Sequence, residues 1–404
     1  MLKQIFNKGG TWHLFWLNFV VLVPFIFALF VPLIFRYIPR IHTGWFVLPV
    51  PVLLFAYLTQ LIPFVAQGNH YSHTFAWIPS LGINYSIYVD GLALLFGLLI
   101  TGIGALVVLY SIYYLAKELE ALNNFYVFLL LFMGAMLVVV FSDNVLVLYM
   151  FWELTSIASF LLIGYWYERK RSRYGAQKAL LITVLGGFAI FAGFLLLINI
   201  TDTLSLREMI GQGERIKAHG LFIPSMLLIL LGAFTKSAQF PFHIWLPDAM
   251  EAPTPISAYL HSATMVKAGI YLVARFTPIF AGSQTWFWLV STVGLITLLL
   301  GSFSAVKKVD LKAMLAYSTI SQLGMIMCLL GLGSLVFYYG PGEKAVFYLP
   351  IMLAAIFHLF NHATFKGSLF MVVGIVDHET GTRDLRRLGG LMKLMPVTFI
   401  IAVI

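Results

Sequence analysis

Long apolar runs constrain this fold more than any other feature of the sequence. A helix needs about 20 apolar residues to cross the hydrocarbon core of a bilayer. Eleven complete runs of about this size span residues 16–35, 45–66, 91–115, 125–141, 144–167, 178–200, 222–246, 255–276, 286–306, 313–333 and 346–376. A twelfth begins near Pro396 and stops at Ile404, so we expect a fragment of a longer protein, truncated at its C-terminus. The runs predict an all-α polytopic membrane protein with about 11 complete transmembrane helices and one truncated helix.

The composition excludes a soluble domain. Of the 404 residues, 61% are hydrophobic and only 10% are charged, whereas soluble domains carry about 25% charged residues. The net charge of +9 does not indicate nucleic-acid binding, because most of the Lys and Arg residues lie in short loops between apolar runs. Such loop charges set membrane topology. We therefore expect membrane lipid as a partner, and no nucleic acid.

Two segments interrupt the helical pattern. Residues 71–89 alternate loosely and contain Pro79 and Gly82, which predicts a possible external β-hairpin. A broken helix is predicted around 236–255, where the chain contains Pro241, Pro247, Pro253 and Pro255. Irregular backbone at membrane depth survives only where it is buried in protein or lines a wet cavity.

Lys236 stands beside that break and Glu153 lies well inside the fifth run. A charge at mid-bilayer costs about 3 kcal/mol, so both side chains should face the protein interior. Lys236 is the best candidate partner for Glu153, and the pair could tune proton binding to the lysine. The alternatives are a purely structural ion pair, or a proline kink whose lysine reaches toward the membrane surface.

Two histidines and a lysine fall on one stripe of the last complete run. His358, His362 and Lys366 are spaced four and four, as on one face of a helix. Histidine changes charge near neutral pH, so this stripe predicts a proton relay. The alternatives are a structural role, or zinc binding by the two histidines.

His261 and Lys267 are six residues apart, so on one helix their side chains should point about 120° apart. Both are candidates for a role in transport, and the alternative for His261 is a hydrogen-bonded core residue.

Other side chains are assigned no chemistry. Asp310 and Lys312 are expected to be solvated in a loop, and the single cysteine, Cys328, allows no intrachain disulfide. The sequence contains no Gly-rich phosphate loop, Cys cluster or nucleophile elbow. We therefore expect no metal, no cofactor and no ATP hydrolysis.

Several short stretches carry a distinctive combination of residues: Asp143-Asn144, Trp152-Glu153, Lys236-Ser237-Ala238-Gln239 with Pro241, Trp245 to Met250, Pro253-Thr254-Pro255, His261 to Val266, Leu315 to Thr319 and His362 to Lys366. Together they resemble the antiporter-like membrane subunits of respiratory complex I and of multisubunit Mrp-type cation/proton antiporters. Within that family, Met265–Tyr271 and Asp377–Asp384 are similar to the A-type subunit of the Mrp antiporters.

The resemblance implies a role for each buried ionisable residue. Glu153 and Lys236 would form the coupled pair of a proton channel. A hydrated relay would continue through His261, Lys267, His358, His362 and Lys366. It further implies N-terminal membrane helices over 1–70 and an antiporter-like proton-translocating domain over 71–404, incomplete at its C-terminus.

Three functions remain open at this point. The first is a subunit of a bacterial inner-membrane Na⁺/H⁺ antiporter, a secondary transporter rather than an enzyme, with other Mrp subunits, Na⁺ and H⁺ as partners. The second is a proton-pumping membrane subunit of a complex I-type NADH:quinone oxidoreductase. The third is a scaffold that only assembles partner subunits.

Overall fold

A computed structural model describes residues 2–116, 121–340, 342 and 344–403. The chain divides into two compact units, Met1–Ala158 with Thr203–Glu208, and Ser159–Asp202 with Met209–Ile404. Each unit is built mainly from helices, as the apolar runs predict. The functional division at residue 70 stays a prediction, because compactness alone does not test it.

The first unit combines helices with one small sheet. Its elements, the last of which continues into the second unit, are α1 (Leu2–Tyr37), α2 (Gly44–Val47), α3 (Pro49–Gln60), α4 (Ile62–Val65), β1 (Tyr71–Ile78), β2 (Ile83–Val89), α5 (Gly91–Tyr114), α6 (Leu122–Phe141) and α7 (Val145–Ile163). Strands β1 and β2 pair antiparallel from Tyr71 opposite Val89 to Ile78 opposite Ile83. The predicted hairpin over 71–89 is therefore confirmed.

The second unit contains the proline-rich break. Its elements, the second of which begins in the first unit, are α8 (Lys170–Thr201), α9 (Leu206–Gly211), α10 (Gly213–Ala218), α11 (Phe222–Lys236), α12 (Thr254–Ser262), α13 (Met265–Phe280), α14 (Gln284–Val306), α15 (Leu311–Gly333), α16 (Leu335–Tyr339), α17 (Ala345–Thr380), α18 (Leu391–Leu394) and α19 (Pro396–Val403). Helices α12 and α13 form the core, since nearly all of their residues are buried. Helix α17 packs against α12 and α15, and α11 packs against α8 and α13.

Nine helical segments in the described part of the chain are long and apolar enough to cross a membrane. The predicted count of eleven complete spans is not confirmed. The predicted span 222–246 forms a helix of only 15 residues, Phe222–Lys236. The predicted span 255–276 is two helices, α12 and α13. The twelfth run begins at Pro396 as predicted, whereas Ile404 lies outside the described residues.

Side chains replace the helical hydrogen bonds that are lost where α11 ends. Pro241 has no N–H to offer the carbonyl of Ser237, and the Gln239 side-chain amide donates to that carbonyl instead at 2.9 Å. The Trp245 indole N–H donates to the carbonyl of Thr235 at 3.0 Å. Because buried backbone groups need partners, these contacts allow the chain to stay irregular while buried.

Candidate functional site

The candidate residues are distributed over both compact units. Glu153 lies half-buried on α7 within the first unit. All six of the others belong to the second unit, where Lys236, His261, Lys267 and His362 are fully buried and Lys366 is 1% exposed. His358 is the most accessible of these six, with intermediate burial.

Lys236 is the last residue of α11, directly before the irregular segment 237–253 that separates α11 from α12. The break was predicted around 236–255, and helical structure resumes in α12 at Thr254. The four prolines act at the starts of short elements rather than inside one kinked helix. Pro241, Pro247 and Pro253 each precede a helical turn, and Pro255 lies in the first turn of α12.

A second break separates His261 from Lys267. Helix α12 ends at Ser262 and α13 begins at Met265, with Thr264 in a non-helical conformation between them. The Thr264 hydroxyl donates to the carbonyl of Tyr259 at 2.8 Å. The prediction of one continuous helix with the two side chains about 120° apart is therefore wrong, because that angle holds only for an unbroken helix.

The stripe on α17 is confirmed as a geometric feature. His358, His362 and Lys366 lie on one uninterrupted helix. The ammonium Nζ of Lys267 donates to the carbonyl of Leu359 at 2.8 Å, which places this α13 lysine against the same helix. The ring of His261 lies 6.2 Å from the ring of Phe370, one turn beyond Lys366. The second unit thus gathers His261, Lys267 and the three stripe residues around α17.

Helix α15 supplies polar partners to the stripe. Lys366 Nζ donates to the hydroxyl of Ser318 at 2.7 Å. His358 Nε2 lies 2.7 Å from Oε1 of Gln322. In contrast, neither ring nitrogen of His362 has a hydrogen-bond partner within the described residues, and the same holds for His261.

Lys312 was expected to be solvated, and this prediction is wrong. It is 3% exposed, and its Nζ donates to the carbonyls of Met250 at 3.1 Å and Ala252 at 2.7 Å. Both carbonyls belong to the end of the irregular segment, directly before Pro253. Asp310 fits its predicted loop position better, since it caps the first turn of α15 and pairs with Arg383 at 3.1 Å.

A second lysine holds the same irregular segment. Lys178 on α8 forms an ion pair with Asp248, with Nζ and Oδ2 2.6 Å apart. Lysines from α8 and α15 therefore bond to the 3-10 turn Asp248–Glu251 and to Ala252, which follows it.

Comparison with known protein families shows which family the chain belongs to. The family model described as NADH:quinone oxidoreductase/Mrp antiporter, TM, matches residues 142–404, which is more than half of the chain. The chain belongs to this NADH:quinone oxidoreductase/Mrp antiporter family. A second model, for the N-terminus of chain 5 of NADH-ubiquinone oxidoreductase (complex I), matches residues 76–126. The resemblance predicted from the motifs is confirmed.

Individual relatives within the family are similar over nearly the whole chain. The A subunit of the Na⁺/H⁺ antiporter of Bacillus subtilis is 64% identical, and that of Alkalihalophilus pseudofirmus 63%, each over 96% of this chain. The chain spans about half the length of these curated relatives, 48% in each case.

Two solved structures share the fold. A chain of the Mrp complex from Dietzia sp. superposes with a TM-score of 0.85 at 39% identity, over 95% of this chain and 40% of that one. A chain of the membrane-bound sulfane sulfur reductase, an archaeal respiratory membrane complex, has a TM-score of 0.81 over 96% of this chain and 76% of that one. At 24% identity, the similarity to the second structure concerns the fold alone.

Sequence reasoning missed three residues that contact the candidate site. All three lie on α15: Lys312 directly precedes the predicted run 313–333, and Ser318 and Gln322 lie inside it, where neither was assigned a role. Their spacing offered a signal, since Ser318 and Gln322 are four residues apart and therefore share a helix face. Lys312 offered no such signal, because a lysine in the first turn of a helix, two residues after Asp310, ordinarily lies in solvent.

Proposed function

We propose that this chain is part of the A subunit of a Mrp-type multisubunit Na⁺/H⁺ antiporter in a bacterial inner membrane, where it moves protons along buried Lys, His and Glu side chains. The observation that carries the proposal is the cluster around α17, in which Lys267, His362 and Lys366 are almost completely buried. Buried ionisable residues in membrane helices are costly and mark ion pathways. The antiporter relatives named above support the transported ions and the partner subunits.

Unpartnered buried nitrogens support a hydrated path. Both ring nitrogens of His261 and of His362 are buried without a hydrogen-bond partner in the part of the chain that the structure describes. Buried polar groups are normally hydrogen-bonded to protein or to ordered water. Water beside these rings would connect them to the neighbouring lysines and allow protons to move between them.

The proposed cycle begins with Lys236. Its ammonium would alternate between pairing with Glu153 and release from that pair. The paired state favours the charged lysine, and its loss favours proton release in a low-dielectric interior. The proton would then pass to His261 and Lys267 and along the α17 stripe. The alternation of Lys236 between these two states is the switch that we propose for proton transfer.

The test is exchange in membrane vesicles that carry the whole antiporter complex. Glu153→Ala and Lys236→Ala should each abolish Na⁺-driven proton movement, read from a pH-sensitive dye, because each removes one partner of the switch. Glu168→Ala and Lys170→Ala are matched controls, since both side chains are exposed, and these variants should exchange normally. Co-purification of partner subunits verifies assembly. Normal exchange by assembled Glu153 and Lys236 variants would refute the proposed switch.

A second candidate function is favoured by the match of residues 76–126 to a complex I chain. In that case the same relay would belong to a proton-pumping subunit driven by quinone chemistry elsewhere. Neighbouring genes distinguish the two: small antiporter subunits favour exchange, and quinone-oxidoreductase subunits favour the enzyme. If every relay variant assembles and transports normally, the scaffold function is the better explanation.

A further inference from the structure

Two hydrogen bonds connect α15 to protonatable side chains of α17. Ser318 accepts from Lys366 at 2.7 Å, and Gln322 lies 2.7 Å from His358. Ser318 and Gln322 are one turn apart on α15, while Lys366 and His358 are two turns apart on α17. Two separate contacts therefore join one face of α15 to one face of α17.

Both partners on α15, Ser318 and Gln322, are uncharged and can either donate or accept a hydrogen bond. A serine hydroxyl donates one hydrogen bond and accepts others, and a glutamine side chain carries both a carbonyl acceptor and an amide donor. Ser318 can accept from a charged lysine and donate to the lone pair of a neutral one. Gln322 can accept from a protonated ring nitrogen and, after rotation of its amide, donate to a bare one.

We propose that Ser318 and Gln322 are positioning residues that stay hydrogen-bonded to Lys366 and His358 in both protonation states of these groups, an inference that rests on the proposed function. Each keeps its partner hydrogen-bonded before and after the proton leaves. Neither protonation state is then penalised by the loss of this partly buried hydrogen bond. Protons can move along α17 without a trap at either residue.

A carboxylate at the same places would act differently. An ionised Asp or Glu only accepts hydrogen bonds, and its charge favours the protonated form of a neighbouring lysine or histidine. Helix α15 has no acidic residue between Leu311 and Gly333. The two contacts to α17 are therefore made by side chains that impose no charge preference.

The surrounding titratable groups are mainly basic. Lys267 of α13 faces both His358 and His362, and Lys366 faces His362 from the same helix. Helix α12 contributes His261, whose ring approaches Phe370. Helix α12 also contributes Tyr259, and α15 contributes Lys312, Tyr317 and Cys328. Helix α16 contributes Tyr338 and Tyr339, and α19 has no titratable side chain over Pro396–Val403. No carboxylate of these helices packed against α17 competes with Ser318 and Gln322.

The experiment compares loss of the partner with replacement by a carboxylate, in the assembled complex in vesicles across a pH series. Ser318→Ala and Gln322→Met remove the hydrogen bond and should slow exchange about ten-fold, as expected for one hydrogen bond to an ionisable group. Ser318→Asp and Gln322→Glu should slow it by about a hundred-fold at neutral pH and recover toward alkaline pH, because the carboxylate retains the proton. Ser318→Thr keeps the hydroxyl and should exchange like the parent protein.

Ser321→Ala is the matched control. Ser321 lies on the same helix, but its hydroxyl is 2.8 Å from that of Ser302 on α14, so its loss should leave exchange unchanged. A purely structural role for Ser318 and Gln322 predicts the reverse order, with the polar carboxylate variants milder than the apolar ones, and that order would overturn the inference. Parent-like exchange by the assembled Ala and Met variants would also overturn it. Parent-like exchange by Lys366→Met and His358→Leu would instead reject the proposed relay itself.

Discussion

Helix α17 and the irregular segment 237–253 carry candidate residues in opposite ways. Helix α17 runs without interruption from Ala345 to Thr380 and places His358, His362 and Lys366 by its own periodicity. The irregular segment has no continuous backbone ladder and is held by side chains from other helices. Lys178, Lys312 and Thr297 all bond to it from outside.

The two regions show that the geometry of a site can be set by the local helix or by contacts from distant parts of the chain. A continuous helix satisfies its own backbone groups, so its geometry follows from residue spacing. A buried break leaves N–H and C=O groups that need partners from elsewhere in the fold. We therefore expect substitutions at the contacts of the irregular segment to destabilise the protein more than equivalent substitutions beside α17.

The largest expected effect comes from comparing Lys312→Met with Lys366→Met. Losing Lys312 leaves the buried carbonyls of Met250 and Ala252 without this donor, at a cost of about 3 kcal/mol. Lys366 makes one bond to a hydroxyl that can rotate to another acceptor, so its loss should cost under about 1 kcal/mol. Thermal unfolding of the purified complex in detergent measures both.

Exposed Lys307 provides the control for this pair, because Lys307→Met removes a charge without a buried contact. Its midpoint of unfolding should match that of the parent protein. If Lys366→Met destabilises as much as Lys312→Met, the contrast between the two regions is wrong.

Gly269→Ala tests how closely the two sides of the break are packed. A Cβ at Gly269, in the second turn of α13, would collide with the backbone carbonyl of Ala233 and the hydroxyl of Ser237 at the end of α11. Such overpacking typically costs about 1–3 kcal/mol, and it should separate the break from α13. The unfolding midpoint and the exchange rate should both fall.

Gly389→Ala is the matched substitution, since a Cβ there meets no described atom within 4 Å. It should leave stability and exchange unchanged. A Gly269 variant that unfolds like the Gly389 variant would show that α11 and α13 are less tightly packed than the structure indicates.

The same contrast explains how much the sequence could predict. Apolar length located most of the long helices but misjudged the runs 222–246 and 255–276, which contain breaks. Periodicity placed the α17 stripe on one face, and the absence of an N–H in Pro241 located the first break. The second break at Thr264 was missed because Ala263 and Thr264 carry no helix-breaking signal as strong as proline. The burial of Lys312 was missed because its carbonyl partners are about 60 residues away in sequence, and no local pattern reports such a contact.

The smallest effect is expected at the Lys178–Asp248 ion pair, where a double-mutant cycle isolates the coupling. The side chains are 25% and 39% exposed, so water screens the pair and the coupling should be only about 0.5 kcal/mol. Thermal unfolding would be measured at low and at high salt for Lys178→Gln, Asp248→Asn and the double variant. High salt should reduce the coupling further. A coupling energy larger than the destabilisation caused by Lys312→Met would mean that the exposed side of the irregular segment, rather than its buried end before Pro253, holds the break in place.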